Sequence, residues 1–139
     1  MPGQNLIYRE ECHKIVGACF EVYNDKGSGF HEGVYQQCLE IELELHGIPF
    51  VSKPTLKPTY KNRKLQEGYI PDLVVYDKII VGLKALTKLA PEHDAQVLNY
   101  LKATGFELGL LANFGRNPNL EWKRIVKTTK PFSPPNLLS

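Results

Sequence analysis

The stretch Tyr69–Leu86, "YIPDLVVYDKIIVGLKAL", decides the fold. Two apolar runs rich in valine and isoleucine flank "YDK", which reads as a hairpin turn between two strands, near residues 65–75 and 79–85. Pro71 cannot donate to a central ladder, so it belongs at a strand end, an edge or a bulge. Gly82 stands inside the second run, where a glycine weakens pairing and fills nothing. Such a glycine marks a bulge, a close backbone approach or a lost side chain. Side chains alternate along a strand, so Gly82 and Lys84 face the same side. The loop length then decides where Asp72 points. A two-residue turn at Asp77-Lys78 pairs Asp72 with Leu83 and sends its carboxylate away from Lys84. An odd-length loop, Tyr76-Asp77-Lys78, or a bulge near Pro71 brings Asp72 and Lys84 to one face. The expectation is one of these two devices.

Working outward, "IPFVSKPTLKPTYKNRKL" adds β-like runs near 49–56 and 58–61, with "KNR" as another hairpin turn. Upstream, Tyr8, Cys12, Ile15, Val16, Cys19, Phe20 and Tyr23 form the i, i+3/i+4 stripe of an amphipathic helix over about residues 5–24. "NDKGSGFHEG" breaks it, and a second helix runs from Glu32 to Leu45, with Gly47 as its C-terminal cap. Downstream, "APEHDAQVLNYLKATG" is a third helix: Pro91 suits its first turn, Glu92 and Asp94 its positive end, and Gly105 stops it. Strands over Glu107–Asn113 and Leu120–Val126 follow. The order ααββββαββ predicts one α/β domain over residues 1–128, a mixed central β-sheet flanked by helices. Residues 129–139 read as an irregular, proline-rich tail.

The bulk properties bound the function loosely. The chain has 139 residues, 42% of them hydrophobic and 23% charged, enough for a real core in a globular protein. A net charge of +2 tolerates an anionic partner without demanding one. No apolar run approaches the length of a membrane span and the N-terminus lacks an apolar secretory core, so no membrane partner and a cytoplasmic location are expected. A homo-oligomer is compatible with all of this. Cys12, Cys19 and Cys38 lack CxxC spacing and read as reduced, buried thiols rather than a metal or disulfide frame.

Four features go beyond fold: Asp72 in apolar surroundings, Gly82-x-Lys84 on the next strand, Gln96 and Tyr100 one turn apart on the third helix, and "GFHEGVY", which puts Glu32 and Tyr35 on one helix face. Each has an ordinary counterpart. Lys84 alone would be a solvated strand-end lysine, Gln96 and Tyr100 a packed helix face, and Glu32 an acid favoured by the helix dipole. Tyr35 is a core residue. His93, three residues before Gln96, shares its face and would border a pocket there as a substrate contact; a surface histidine, or one in the shell behind the site, is the reading favoured over a ligand. Trp122 reads as strand packing. The lysines of "KPTLKPTYKNRK" either solvate an edge, the reading favoured here, or contact a phosphate backbone.

The segments "GFHEGVYQQCLEIELELHGIPF", "YIPDLVVYDKIIVGLKA" and "HDAQVLNYLKATGFELGLLANFG" together resemble the small GxxExxY proteins, assigned to the PD-(D/E)xK nuclease superfamily with a restriction-endonuclease-like core. The resemblance covers about residues 6–126. It implies a divalent metal, Mg²⁺ or Mn²⁺, and DNA or RNA as partner. Asp72 matches the metal-binding aspartate, and Lys84 the lysine that positions water and offsets phosphate charge. Gln96 and Tyr100 match helix residues that line the site, and Glu32 an acid that completes it and can share the metal. The chemistry fits those residue types: phosphodiester hydrolysis needs a divalent ion for the transition-state charge and the nucleophile, and Mg²⁺ prefers carboxylates with retained water.

Gly82 departs from the family pattern, which has glutamate in "V-E-L-K-A" where this chain reads Val81-Gly82-Leu83-Lys84-Ala85. The position is a vacant carboxylate site: an engineered loss, a natural degeneration, or a group now supplied by Glu32. The function that follows is a nuclease fold whose intact relatives hydrolyse phosphodiesters with metal, and whose activity is impaired here. The alternatives are a non-catalytic nucleic-acid-binding or assembly module that keeps the fold, and a hydrolase of another phosphorylated substrate.

Overall fold

In the computed structural model, which describes residues 6–127, the chain begins with helices α1 (Arg9–Lys26) and α2 (Glu32–Leu45). Five strands follow: β1 (Phe50–Ser52), β2 (Thr59–Tyr60), β3 (Arg63–Lys64), β4 (Leu73–Val75) and β5 (Ile79–Lys84). Helix α3 (Pro91–Thr104), β6 (Leu108–Asn113) and β7 (Glu121–Val126) complete it. The tail expected over 129–139 lies outside the described residues. The sheet order is β1-β4-β5-β6-β7, with β2 and β3 forming a separate two-stranded ribbon. Only β5 and β6 run parallel, joined through the α3 crossover; the other pairs are antiparallel. The mixed α/β architecture expected from the element order is therefore observed.

The sheet separates two cores. On one face Leu73, Val75, Ile79, Val81, Leu83 and Leu110 pack with Ile15, Cys19, Tyr35, Leu39 and Leu43 of α1 and α2. On the other, Val74 and Ile80 meet Leu101, while Leu111 meets Val97, both helical residues belonging to α3. Burial pushes the Cys19 thiol up to about 12, the state of an inert core cysteine. Cys12 is buried too, Cys38 is half-buried, and all three are free. Among the described residues no helix is long and apolar enough to cross a membrane.

The β4–β5 hairpin pairs Val75 with Ile79 and Leu73 with Val81. Its loop is therefore Tyr76-Asp77-Lys78, the odd-length device, with Tyr76 and Asp77 at φ of 57° and 61°. Gly82 lies in an unbroken ladder opposite Leu111, so no bulge accounts for it. The β-like run expected over 65–75 is strand only over Leu73–Val75. Leu65, Gln66, Glu67 and Gly68 are exposed; Leu65 donates its N–H to the Pro58 carbonyl at 3.0 Å, and Tyr69 bridges to Leu56.

A different glycine sets the distance between α3 and the sheet. A Cβ at Gly109, beside Ile80 in the parallel pair, would sit 2.5 Å from Val97 Cγ1. Gly109→Ala must push α3 outward or force Val97 from its rotamer, an overpacking cost of about 1–3 kcal/mol. Urea unfolding should show the midpoint falling at unchanged m-value; an unaltered midpoint would mean that the helix is not seated as described.

Candidate active-site cleft

The proline-aspartate pair ends β4 in a specific way. Pro71 has no N–H to donate to the ladder, and the Leu83 N–H facing this end of β4 is accepted by the Asp72 side chain, whose Oδ2 lies 2.6 Å away. The Asp72 carbonyl is fastened separately. It accepts the Lys53 N–H at 3.0 Å and the Gln36 amide Nε2 at 2.8 Å. Gln36 is buried, and its Nε2 also donates to Glu40 Oε2 at 2.9 Å. Asp72 is thus held by three polymer segments and retains a second carboxylate oxygen.

Extending the β4–β5 register puts Asp72 opposite Gly82, on the α3 face that Ile80 and Val74 share. Lys84 follows on the same face, and its Nζ lies 3.4 Å from Gln96 Oε1 on α3. Tyr100, one turn on, stands edge-to-face with Tyr69, centroids 5.1 Å apart. Glu32 enters from the start of α2. A cleft of about 160 Å³ is lined by Glu32, Pro71, Asp72, Gly82, Lys84, Gln96 and Tyr100, with Ile70, Ile80, Val97 and Leu111 as its apolar floor. Five polar residues from four separate parts of the chain meet there.

His93 is not among the lining residues. Its Nδ1 accepts the Ala90 N–H at 2.9 Å, which ties the imidazole to the N-terminus of α3. Tyr35 is fully buried, as read from the sequence. Two participants were not foreseen: Gln36, which anchors Asp72, and Lys53, whose charge reaches both cleft acids.

The electrostatics are set first by burial of the two cleft acids. Asp72 titrates above the ordinary carboxylate range because burial outweighs the Leu83 hydrogen bond and the Lys84 and Lys53 charges. Glu32 is raised as well, first by desolvation and then by Asp72, against the pull of Lys84 and Lys53. Tyr100 is raised by burial and by Asp72, so it remains a phenol at neutral pH. Among the described residues no three His, Cys, Asp or Glu side chains converge to hold a metal ion.

A carboxyl whose folded pKa is raised binds more protons in the native than in the unfolded state. Its favourable contribution is full below the unfolded value, near 3.8 for Asp72 and 4.5 for Glu32, and is lost as pH climbs through the raised folded value. Asp72→Asn removes that loss, so its stability relative to wild type should improve from acid pH toward neutrality. Thermal unfolding of both proteins between acid and neutral pH reads this; a variant that loses ground as pH rises contradicts it.

A family profile described as the PD-(D/E)XK nuclease superfamily matches residues 9–125. Among solved structures, the crystal structure of SSO0001 superimposes with a TM-score of 0.53 at 14% identity, over 68% of this chain and 49% of that one. An alkaline exonuclease (LHK-Exo) from Laribacter hongkongensis superimposes with a TM-score of 0.46 at 20% identity, over 63% of this chain and 56% of that one. The chain thus spans about half the length of the solved structures it matches. No curated protein matches it.

Proposed function

The chain belongs to the PD-(D/E)XK nuclease superfamily, which generally uses divalent metals, and from that premise we propose that the Asp72 cleft is a phosphodiester-hydrolysing site of the GxxExxY type, impaired by the loss of one carboxylate at Gly82. The observation that carries the reading is the convergence of Glu32, Asp72, Lys84, Gln96 and Tyr100 on one cleft.

The donor set suits a hard divalent ion, Mg²⁺ or Mn²⁺. Asp72 keeps an oxygen free of its backbone bond, and Glu32 and Asp72 both have raised pKa values that a bound cation would relieve. Two carboxylates with the remaining positions left to water is an arrangement that Mg²⁺ accepts. When bound, the ion supplies charge stabilisation at the phosphorus and a water activated near neutral pH.

The chain's own residues do the rest. Gln36 and the Lys53 amide fix the Asp72 backbone, so the carboxylate is aimed before any substrate arrives. Gln96 orients the Lys84 ammonium, which supplies a fixed positive charge for a non-bridging phosphate oxygen. Tyr100 offers a phenol proton as a hydrogen-bond donor to substrate or water. Gly82 brings no side chain to the cleft, and a Cβ there would meet only Leu111 and Val97 within 4 Å, so one ligand's worth of affinity and water activation is missing.

The test is cleavage of labelled single- and double-stranded DNA and RNA at millimolar Mn²⁺. The proposal expects slow, EDTA-sensitive cleavage by wild type, abolished by Lys84→Ala and by Asp72→Asn. Cleavage that survives both substitutions excludes this cleft as its source. One observation favours a second reading, a non-catalytic nucleic-acid-binding or assembly module: the described residues bring no third metal-ligating side chain to the pair. Complete absence of cleavage by wild type would support it.

A further inference from the structure

The strongest unassigned feature is the β2–β3 ribbon. From Phe50 to Gln66 the chain has no acid, yet Lys53, Lys57, Lys61, Arg63 and Lys64 all fall there. These five cations exceed the net charge of the whole chain, +2, so the remainder is net acidic. All five are exposed, and none takes part in an ion pair among the described residues. Lysines do protect sheet edges from unwanted pairing. That explanation suits a long edge, whereas β2 and β3 pair over two residues each. So little edge does not call for so much charge.

The ribbon is also wired to the cleft. Leu56 and Tyr69 exchange both backbone hydrogen bonds at 2.8 Å, closing its base. From there the chain passes through Tyr69, whose ring packs on Tyr100, to Ile70, Pro71 and Asp72 in the cleft wall. Lys53, at the opposite foot, donates its backbone N–H to the Asp72 carbonyl. At the tip, Lys61 and Asn62 have φ of 50° and 66°, the two-residue turn that matches strand twist and projects both side chains outward. Tyr60 beside it is 64% exposed, its ring 5.5 Å from the Lys61 ammonium.

We propose that the β2–β3 ribbon is an arm that grips the phosphates of a single nucleic-acid strand and leads that strand across the mouth of the Asp72 cleft. The inference rests on the nuclease reading of the cleft and names its substrate as single-stranded. Unpaired cations along a short arm suit a backbone that carries one charge per nucleotide. An open aromatic ring among them suits bases whose faces are free, which a duplex does not offer.

The test reads binding, not cleavage, so the two proposals fail separately. Fluorescence anisotropy follows labelled single-stranded and duplex oligonucleotides over a salt series in EDTA. The proteins are the wild type, Tyr60→Ala, and a set carrying Lys57→Glu, Lys61→Glu, Arg63→Glu and Lys64→Glu, with the corresponding glutamine set as a milder form. A control carries Lys14→Glu and Lys26→Glu on α1. Wild type should prefer the single strand. The arm sets should lower the slope of log affinity against log salt by about 0.7 for each phosphate that is no longer neutralised. Tyr60→Ala should weaken binding about tenfold. Unchanged affinity and slope in both arm sets, an equal loss in the α1 control, a preference for duplex, or no binding by wild type would each overturn the arm. Arm-dependent binding without any cleavage, even in Gly82→Glu, would instead retain the arm and remove the hydrolytic reading.

Discussion

Gly82→Glu is expected to turn a slow nuclease into an efficient metal-dependent one, and Lys84→Ala in that background to silence it. The position accepts a side chain. Its backbone belongs to a regular ladder, and a Cβ would meet Leu111 Cδ1 at 3.5 Å and Val97 Cγ2 at 3.7 Å, both ordinary contacts. The new carboxylate would leave the strand on the face of Asp72 and Lys84, giving the cation a third acidic neighbour. Disturbing even the partners of metal ligands changes affinity or activity by about 10–100-fold, so supplying a ligand outright should gain at least ~10²-fold in cleavage rate. Removing Lys84 takes away a preorganised cation at the developing charge, worth about 10²–10³-fold. Initial rates on labelled oligonucleotides in Mg²⁺ and Mn²⁺ measure both steps. Gly82→Glu activity that is insensitive to Lys84→Ala would show that the gain arises elsewhere.

The largest stability effect is expected at Tyr35. Its ring is fully buried, stacks on Phe114 at 4.7 Å and meets Phe30 edge-on at 6.1 Å. Its hydroxyl donates to the Gly27 carbonyl at 2.5 Å and accepts the Phe30 N–H at 3.2 Å. One side chain therefore closes the α1–α2 connection and seats the turn that carries Glu32. Tyr35→Ala should cost about 3–5 kcal/mol, combining lost transfer energy with a cavity. Tyr35→Phe keeps the ring but orphans a carbonyl and an N–H, a cost of about 1–3 kcal/mol. Equilibrium urea unfolding separates the two. If Tyr35→Phe matched Tyr35→Ala, the hydroxyl rather than the packing would dominate, contrary to this account.

Much of the core was legible because its signals are periodic. The span of α2, Glu32–Leu45, follows from its apolar stripe and flanking glycines, and the observed bounds coincide. The face shared by Asp72 and Lys84 followed from alternation plus one integer, the length of the Tyr76-Asp77-Lys78 loop. Where sequence and structure part, no periodic signal existed. Residues 65–72 carry enough β-formers to look like strand, but Gly68 and Pro71 interrupt them and most face solvent. The anchoring of Asp72 depends on Gln36, which lies four residues after Glu32 and four before Glu40 on one face of α2. That polar stripe beside the apolar one was a usable clue. Lys53 gave none: it sits at a φ of 47°, a conformation that nothing in "VSKP" announces. For His93, helix periodicity assigns a face but not a partner, and its imidazole accepts the Ala90 N–H at the N-terminus of α3.

The ribbon shows the same limit from the other side. Sequence could count its lysines but could not weigh edge protection against ligand binding, because that choice turns on how much edge exists. In the structure that edge is two residues long on each strand, and the segments flanking it reach Tyr100 through Tyr69 and Asp72 through Lys53.

The Asp72 cleft is proposed as a divalent-metal site lacking one carboxylate. Isothermal titration of Mn²⁺ into wild type, Gly82→Glu and Gly82→Glu combined with Asp72→Asn tests it most directly. Wild type should bind weakly, Gly82→Glu about 10–100-fold more tightly, and the gain should vanish when Asp72 is neutralised. Equal affinity in all three proteins would contradict it.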